Sequence, residues 1–394
     1  MAKEQLRQLL SLIETATDQK GLAQSRKRQE AVWLGKESDY LPWLLTGPVP
    51  ERGKFPHYNL REQFYDPEKM LWEQLWTALA VLRGKSDAVP SVRVSFGTGF
   101  LASVFGLKQM VFPDKMPWLQ ERLSKKQILA LSPEKLEPIE EKGLMPECHR
   151  YIKIYQDYLK GTVVRIYLPD TQGVFDLAHL VYGDDLFYQL YDDFSFVEHL
   201  LTLTAYVYRR ASEIIKGWIG EPATAGFHGG TLYLAGCGVR SCEDTTTLIS
   251  PGLVEKVLPI ALQAVAPFGG WFHFCGDGRT LLDKLLQARE VRGINFGNPE
   301  KYDWITTLQK IASAGKVYSG SIPRKEGENL VSYCRRVVSY LPGKGNLILT
   351  GGLFPGEDPG EAVAVWQTSQ EERFNSRIRG RCKTPDHSRC SRGN

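Results

Sequence analysis

Gly270-Trp-Phe-His-Phe-Cys-Gly276 reads as a short β-strand running into a turn, and its alternation sets how the rest of the chain is read. Successive side chains of a strand point to opposite faces, so His273 and Cys275 share one face while Phe272 and Phe274 share the other. If the two phenylalanines face a layer of helices, the histidine and the cysteine face inward near the carboxyl end of the strand. Similar short apolar runs lie outward along the chain at residues 40–45, 91–96, 163–168, 231–235, 291–296, 316–319 and 346–350, separated by longer helical patterns. Strands that alternate with helices build a parallel sheet, and eight such units are the number that closes a (β/α)8 TIM barrel. A doubly wound open α/β sheet is the alternative with the same pattern.

The remaining segments fit around this frame. Leu6, Leu9, Leu10, Leu12 and Ile13 recur at helical spacing, and a second helical segment leads to Trp33 before Gly35, so residues 1–39 are expected to form a helical extension. Residues 40–372 then form the barrel, with helical insertions at 46–90 and 107–160. Residues 373–394 carry seven Lys and Arg against one acidic residue, Asp386, and are expected to be a basic, disordered tail. That tail holds +6 of charge, leaving −2 on residues 1–372 out of a total of +4. No basic face with interleaved aromatic residues follows from this, so nucleic acid is not an expected partner. No run of 18 apolar residues suggests a membrane span, and the polar start lacks a secretory pattern, so a cytoplasmic location is expected. Seven scattered cysteines point to reduced thiols rather than a disulfide framework. A homodimer stays open as an assembly.

An imidazole and a thiolate on one face can be two ligands of a tetrahedral zinc, although a buried cysteine beside a hydrogen-bonded histidine has the same spacing. Shortly before them, Gly236-Cys-Gly-Val-Arg-Ser-Cys-Glu-Asp-Thr-Thr-Thr247 offers Cys237, Cys242, Glu243 and Asp244 as metal ligands or acid–base groups. Asp244 serves equally well as a helix cap, and Ser250 reads as the cap of the helix opening at Pro251. Asp170, with Gln172, lies in the loop after the third run, where barrels place catalytic groups. Asn295 and Asn298 can fix a substrate or simply turn the chain before Pro299. His228, flanked by glycines ahead of the run at 231–235, is expected on the opposite rim unless its loop folds over. Gly97, Gly99 and Gly106 make no dinucleotide fingerprint, so no nicotinamide cofactor is expected.

Taken together, these segments resemble the uroporphyrinogen decarboxylase superfamily over about residues 25–370. The residues that carry the resemblance are Glu243-Asp-Thr-Thr-Thr-Leu-Ile-Ser-Pro251, His273-Phe-Cys-Gly276, Gly293-Ile-Asn-Phe-Gly-Asn-Pro299 and Glu326-Gly-Glu-Asn-Leu330. Residues 28–39, with Ala31-Val-Trp-Leu-Gly-Lys-Glu37, and Asp170-Thr-Gln-Gly173 support it. Members of that superfamily are (β/α)8 barrels. The true decarboxylases grip substrate carboxylates with an Arg-Gln-Ala-Gly-Arg segment that has no counterpart near residues 32–44 here. The corrinoid-linked (cobalamin-dependent) methyltransferase branch carries His-x-Cys as zinc ligands, at the position matched by His273 and Cys275. Its coenzyme M enzymes have a further cysteine at the end of the last strand, where this chain reads Leu347-Ile-Leu-Thr-Gly-Gly352.

The resemblance implies a zinc-dependent methyltransferase moving a methyl group between a small-molecule donor or acceptor and a separate corrinoid protein, which would carry the cobalamin. In that reading Cys242 or Glu243 completes the zinc site. Asp170 and Asp244 act in catalysis, and Gln172, His228, Asn295 and Asn298 bind substrate. A metal-free decarboxylase of a small carboxylated molecule and a non-catalytic binding barrel are the alternatives.

Overall fold

In the computed structural model, which describes residues 2–343 and 345–381, eight parallel strands alternate with helices along the chain. They are β1 (Trp43–Leu44), β2 (Ser91–Arg93), β3 (Arg165–Tyr167), β4 (Val239–Cys242), β5 (Gly270–Phe274), β6 (Val291–Phe296), β7 (Val317–Gly320) and β8 (Leu347–Thr350). Six pair as one parallel sheet in the order β1-β8-β7-β6-β5-β4, and β2 pairs in parallel with β3. The result is a mixed α/β fold compatible with a TIM-like barrel, formed as arcs of six and two strands among the described residues.

The strand–helix alternation follows from burial. On β5, Phe272 and Phe274 are fully buried, and Phe274 sits edge-on to Phe296 of β6 at 5.3 Å. Phe296 continues into a cluster with Tyr302, Trp304 and Tyr318, which ties β6 and β7 to the helix Trp304–Ser313. That helix starts where Asp303 accepts from the Thr306 amide, as a helix N-cap does. Ser250 stands at the corresponding position before the helix Pro251–Val265 but makes no side-chain capping bond. Pro251, which has no amide hydrogen to satisfy, removes part of the need for one.

The fourth strand is not where the sequence suggested. Residues 231–235 belong to an antiparallel hairpin of Ala225–His228 and Leu232–Ala235, and the sheet strand is the next segment, β4. Gly236, at φ +66°, and Gly238, where a Cβ would lie 1.7 Å from the Ala223 carbonyl oxygen, make the sharp turn between them. The hairpin tip lies against the amino end of β2, where the Ser91 amide donates to Gly230 O and the Val89 amide to Thr231 O.

Helix Gln19–Trp33 packs on this end, and helix Ala2–Ala16 packs on the helix Pro67–Arg83. Leu6, Leu9 and Ile13 are buried, and Trp33 Nε1 donates to the Tyr233 carbonyl of the hairpin at 2.8 Å. Gln29 accepts from the Tyr233 amide and donates to the Asp87 carbonyl. Arg28 spans Asp39 and the buried Asp87.

At the other terminus the helix Pro359–Arg381 runs past residue 373, where the tail was expected to begin. Arg335 pairs with Glu372 there and fastens that helix to the helix Leu330–Tyr340. Residues 382–394 lie outside the described residues. Among the described residues, no helix is long and apolar enough to cross a membrane.

Candidate functional site

The parallel register sets Cys242 of β4 beside His273 of β5, and His273 beside Asn295 of β6. Three neighbouring strands thus deliver a thiol, an imidazole and an amide at one level, close to their carboxyl ends. The Asn295 amide nitrogen donates to the Ser319 carbonyl at 2.7 Å, which turns its oxygen toward His273 Nδ1 at 2.5 Å. Nδ1 therefore holds the proton, and the Nε2 lone pair is left to face the site. Burial, followed by the positive charge of Arg240, lowers the His273 pKa and keeps the ring neutral.

Around Nε2 stand three further donors. Cys275 Sγ lies at 3.5 Å and Asp244 Oδ1 at 3.8 Å. One donor atom each from Cys242, Asp244 and His273 lie within 4.8 Å of one another. Sulfur, nitrogen and carboxylate oxygen are the donor types of zinc, and ligand atoms at opposite corners of a tetrahedral zinc edge are about 3.4–3.7 Å apart. Within the trio the 3.8 Å between Asp244 and His273 is close to that spacing, as is the 3.5 Å from Cys275 to the same nitrogen, and Cys242 lies within 4.8 Å of both trio partners. The residues present therefore fit such an ion, with Cys242, Asp244 and His273 as the trio and Cys275 against the same nitrogen. Without a metal both thiols stay protonated. Burial, and next Asp244, push Cys275 up to about 11, and burial with Asp176 pushes Cys242 higher still.

The loop after β4 is held from behind. Asp244 accepts from the Cys275 amide at 2.7 Å, so it joins the two strand ends rather than capping the 3-10 turn Thr245–Leu248. The buried Asp176 accepts from the amides of Asp244 and Thr245. Glu243 is not in the trio. Its carboxylate is buried on the opposite side of the chain, accepting from Ser241 and Thr246 hydroxyls. Burial and the charge of Asp176 push Glu243 up to about 8, while burial and Asp244 push Asp176 up to about 6. Glu243 is thus not brought to the trio, its carboxylate being held by Ser241 and Thr246.

The expected substrate-binding residues divide. Asp170 accepts from both the amide and the side chain of Gln172, and Arg93 Nη1 lies 3.9 Å from it. Gln172 takes φ +57°, a left-handed conformation costly for a residue with a side chain, and the bonds to Asp170 hold it there. Asn298 accepts from the Gly276 amide at 2.8 Å and so shapes the loop after β5. His228 is carried by the hairpin at the amino end of the strand array. Its ring stands between Tyr167 of β3, 5.4 Å away, and Trp271 of β5, 5.1 Å away, because the hairpin carries it there. Burial, then Arg240 and Arg93, hold His228 well below the ordinary histidine range.

The enclosed space beside Asp170, Gln172, His228 and Arg240 is about 10 Å³, room for about one water. Wider clefts lie away from the trio, including one of about 420 Å³ lined by Arg26, Lys160, Arg165 and Tyr233.

The fold has a solved counterpart. A methyltransferase from Methanosarcina mazei superposes with a TM-score of 0.59 at 14% sequence identity, over 89% of this chain and 98% of that one. No protein family and no curated protein match the sequence. At this identity the likeness concerns the fold, and it extends over nearly the whole of both chains.

Three residues of the site escaped the sequence reading. Arg240 and Trp271 lie two positions before Cys242 and His273 on the same strands, and Asp176 lies behind the loop. Period-two counting back from Cys242 would have exposed Arg240, had β4 been placed at 239–242.

Proposed function

We propose that this chain is a zinc-dependent methyltransferase, built as a closed (β/α)8 barrel, that moves a methyl group between a small molecule and a corrinoid protein carrying cobalamin. One observation carries the reading: the convergence of Cys242, Asp244 and His273 at the carboxyl ends of adjacent strands. The methyltransferase of like fold and the His-x-Cys resemblance support the choice of reaction.

Cys242, Asp244 and His273 would hold the ion, with Cys275 available as a fourth donor. When bound, zinc supplies Lewis acidity, which lowers the pKa of a substrate thiol or polarises the heteroatom that bears the methyl group. The protein's own part is positional. Asn295 fixes the His273 tautomer, as partners of metal-bound histidines do. Asp244 and Asn298 hold the loop after β5 in place. Asp170 and Gln172 offer a carboxylate and an amide from the loop after β3 to orient the small molecule.

Metal analysis after reconstitution under reducing conditions tests this reading. One zinc per chain is expected, lost in Cys242→Ala and His273→Ala, together with methyl transfer from methylcobalamin to small thiols or the reverse reaction. A chain that recovers no zinc would end the metal mechanism.

A further inference from the structure

We propose that Arg240 and Trp271 form an anion-binding end of the pocket, so that the small molecule handled at the Cys242–Asp244–His273 trio is a short carboxylic acid. The word substrate here rests on the function proposed above, whereas the binding itself does not.

The register pairs Arg240 with Trp271 just as it pairs Cys242 with His273. Both pairs lie on the same two strands, two residues apart, and so on the same face, separated by about 6–7 Å along the strands. The Arg240 guanidinium makes no hydrogen bond and no ion pair among the described residues. The neighbouring carboxylates are engaged elsewhere: Asp170 by Arg93 and Gln172, and Asp244 by the Cys275 amide. Beside it the Trp271 side chain is buried, and its Nε1–H has no acceptor.

A half-buried cation without a counter-charge and a buried N–H without an acceptor each cost folding stability. One ligand oxyanion removes both costs, because a carboxylate accepts from a guanidinium and an indole N–H together. The space against Arg240 is about 10 Å³ and is lined by Gln172 and His228 but not by Trp271 or the trio, so side chains must part for a carboxylate and its carbons to enter.

Calorimetric titration of the full chain, freed of metal by chelation, reads this directly with butyrate and 1-butanol as probes of equal length. Butyrate should bind at least about tenfold more tightly than the alcohol, the scale of a charge-assisted hydrogen bond. Arg240→Gln should lose about tenfold or more, and Trp271→Phe a smaller factor. Arg26→Gln, in the cleft of about 420 Å³ away from the trio, should bind as the wild type does.

Equal affinity for both probes, binding of neither, or wild-type affinity in a folded Arg240→Gln overturns the proposal. The wild-type comparison needs no variant to fold. Because the titration contains neither zinc nor corrinoid, butyrate selectivity in a chain that takes up no zinc upholds the acid subsite and removes the methyltransferase reading. Zinc uptake without selectivity does the reverse.

Discussion

Asn295 shows how one amide can decide what an imidazole does. Its nitrogen is committed to the Ser319 carbonyl, so its oxygen faces His273 Nδ1 and leaves Nε2 as a donor. Replacement by leucine removes the acceptor without adding charge, and either tautomer becomes accessible. Asn295→Leu should weaken zinc affinity by about 10–100-fold, the usual effect of losing such a partner, in a competition titration with a chromophoric chelator. Unchanged affinity would mean that the tautomer is fixed by something else.

Glu243 makes the second prediction at this scale. Its folded pKa, pushed up to about 8, lies above the ordinary value of 4.5. Between those two values the unfolded chain ionises while the folded one keeps its proton. The unfolded state therefore holds fewer protons, and stability falls as pH rises through the window. Glu243→Gln cannot ionise, so its urea midpoint should drop less than the wild type's between about pH 5 and pH 8, measured on metal-free protein. Parallel pH profiles would contradict the buried-carboxyl account. Sequence reasoning reached His273, Cys275, Cys242 and Asp244 because metal-ligand chemistry favours a few residue types. It could not separate Glu243 from them without the strand's position, and it left Asn295 as a substrate contact or a turn residue because a hydrogen bond across strands leaves no local pattern.

Among the elements, the strands with strong apolar runs were legible and the polar one was not. β5, β6 and β8 lie within the runs read from the sequence, and β7 passes the end of its run by Gly320 alone, since each buries two or more large side chains. β4, Val239–Cys242, has Arg240 and Ser241 at its centre and lacks such a run, while the hairpin arm Leu232–Ala235 is apolar and buried throughout. Apolar content alone therefore favoured the hairpin. The position of β4 depends on Gly173, just before the helix Val174–Tyr182. A Cβ there would come 2.0 Å from the Cys242 carbonyl oxygen and 2.6 Å from Glu243 Oε1. Gly173→Ala must push the end of β4 away, at a cost of about 1–3 kcal/mol, and should reduce zinc affinity with it. Gly217→Ala, in the helix Phe194–Ile219 with open space around it, is the control and should be neutral or stabilising by up to about 1 kcal/mol. Denaturant melts and metal titration of the two variants separate displacement of β4 from a general effect of adding a methyl group.

For the whole molecule, the two ends of the strand array have different jobs. The hairpin, with Trp33 and Gln29 bonded to it, covers the amino end, and the trio stands at the carboxyl end. The strands between them bind the two into one unit, so an ion held at the trio acts on the global equilibrium. Cys242, Asp244 and His273 come from β4, β5 and the loop between them and its helix, and they meet only when β4 and β5 are paired. A metal that binds this folded arrangement and not the unfolded chain stabilises by an amount set by its concentration over its dissociation constant, about 2.7 kcal/mol at a hundredfold excess. Zinc added to the reduced, metal-free chain should therefore raise the melting temperature by a few degrees, and a chelator should reverse the rise. Cys242→Ala and His273→Ala should melt at the same temperature with and without zinc. Cys275→Ala, outside the trio but 3.5 Å from Nε2, should keep a reduced part of the shift. A full zinc shift in Cys242→Ala would instead assign the ion to His273 and Cys275, the pair that the sequence singled out first.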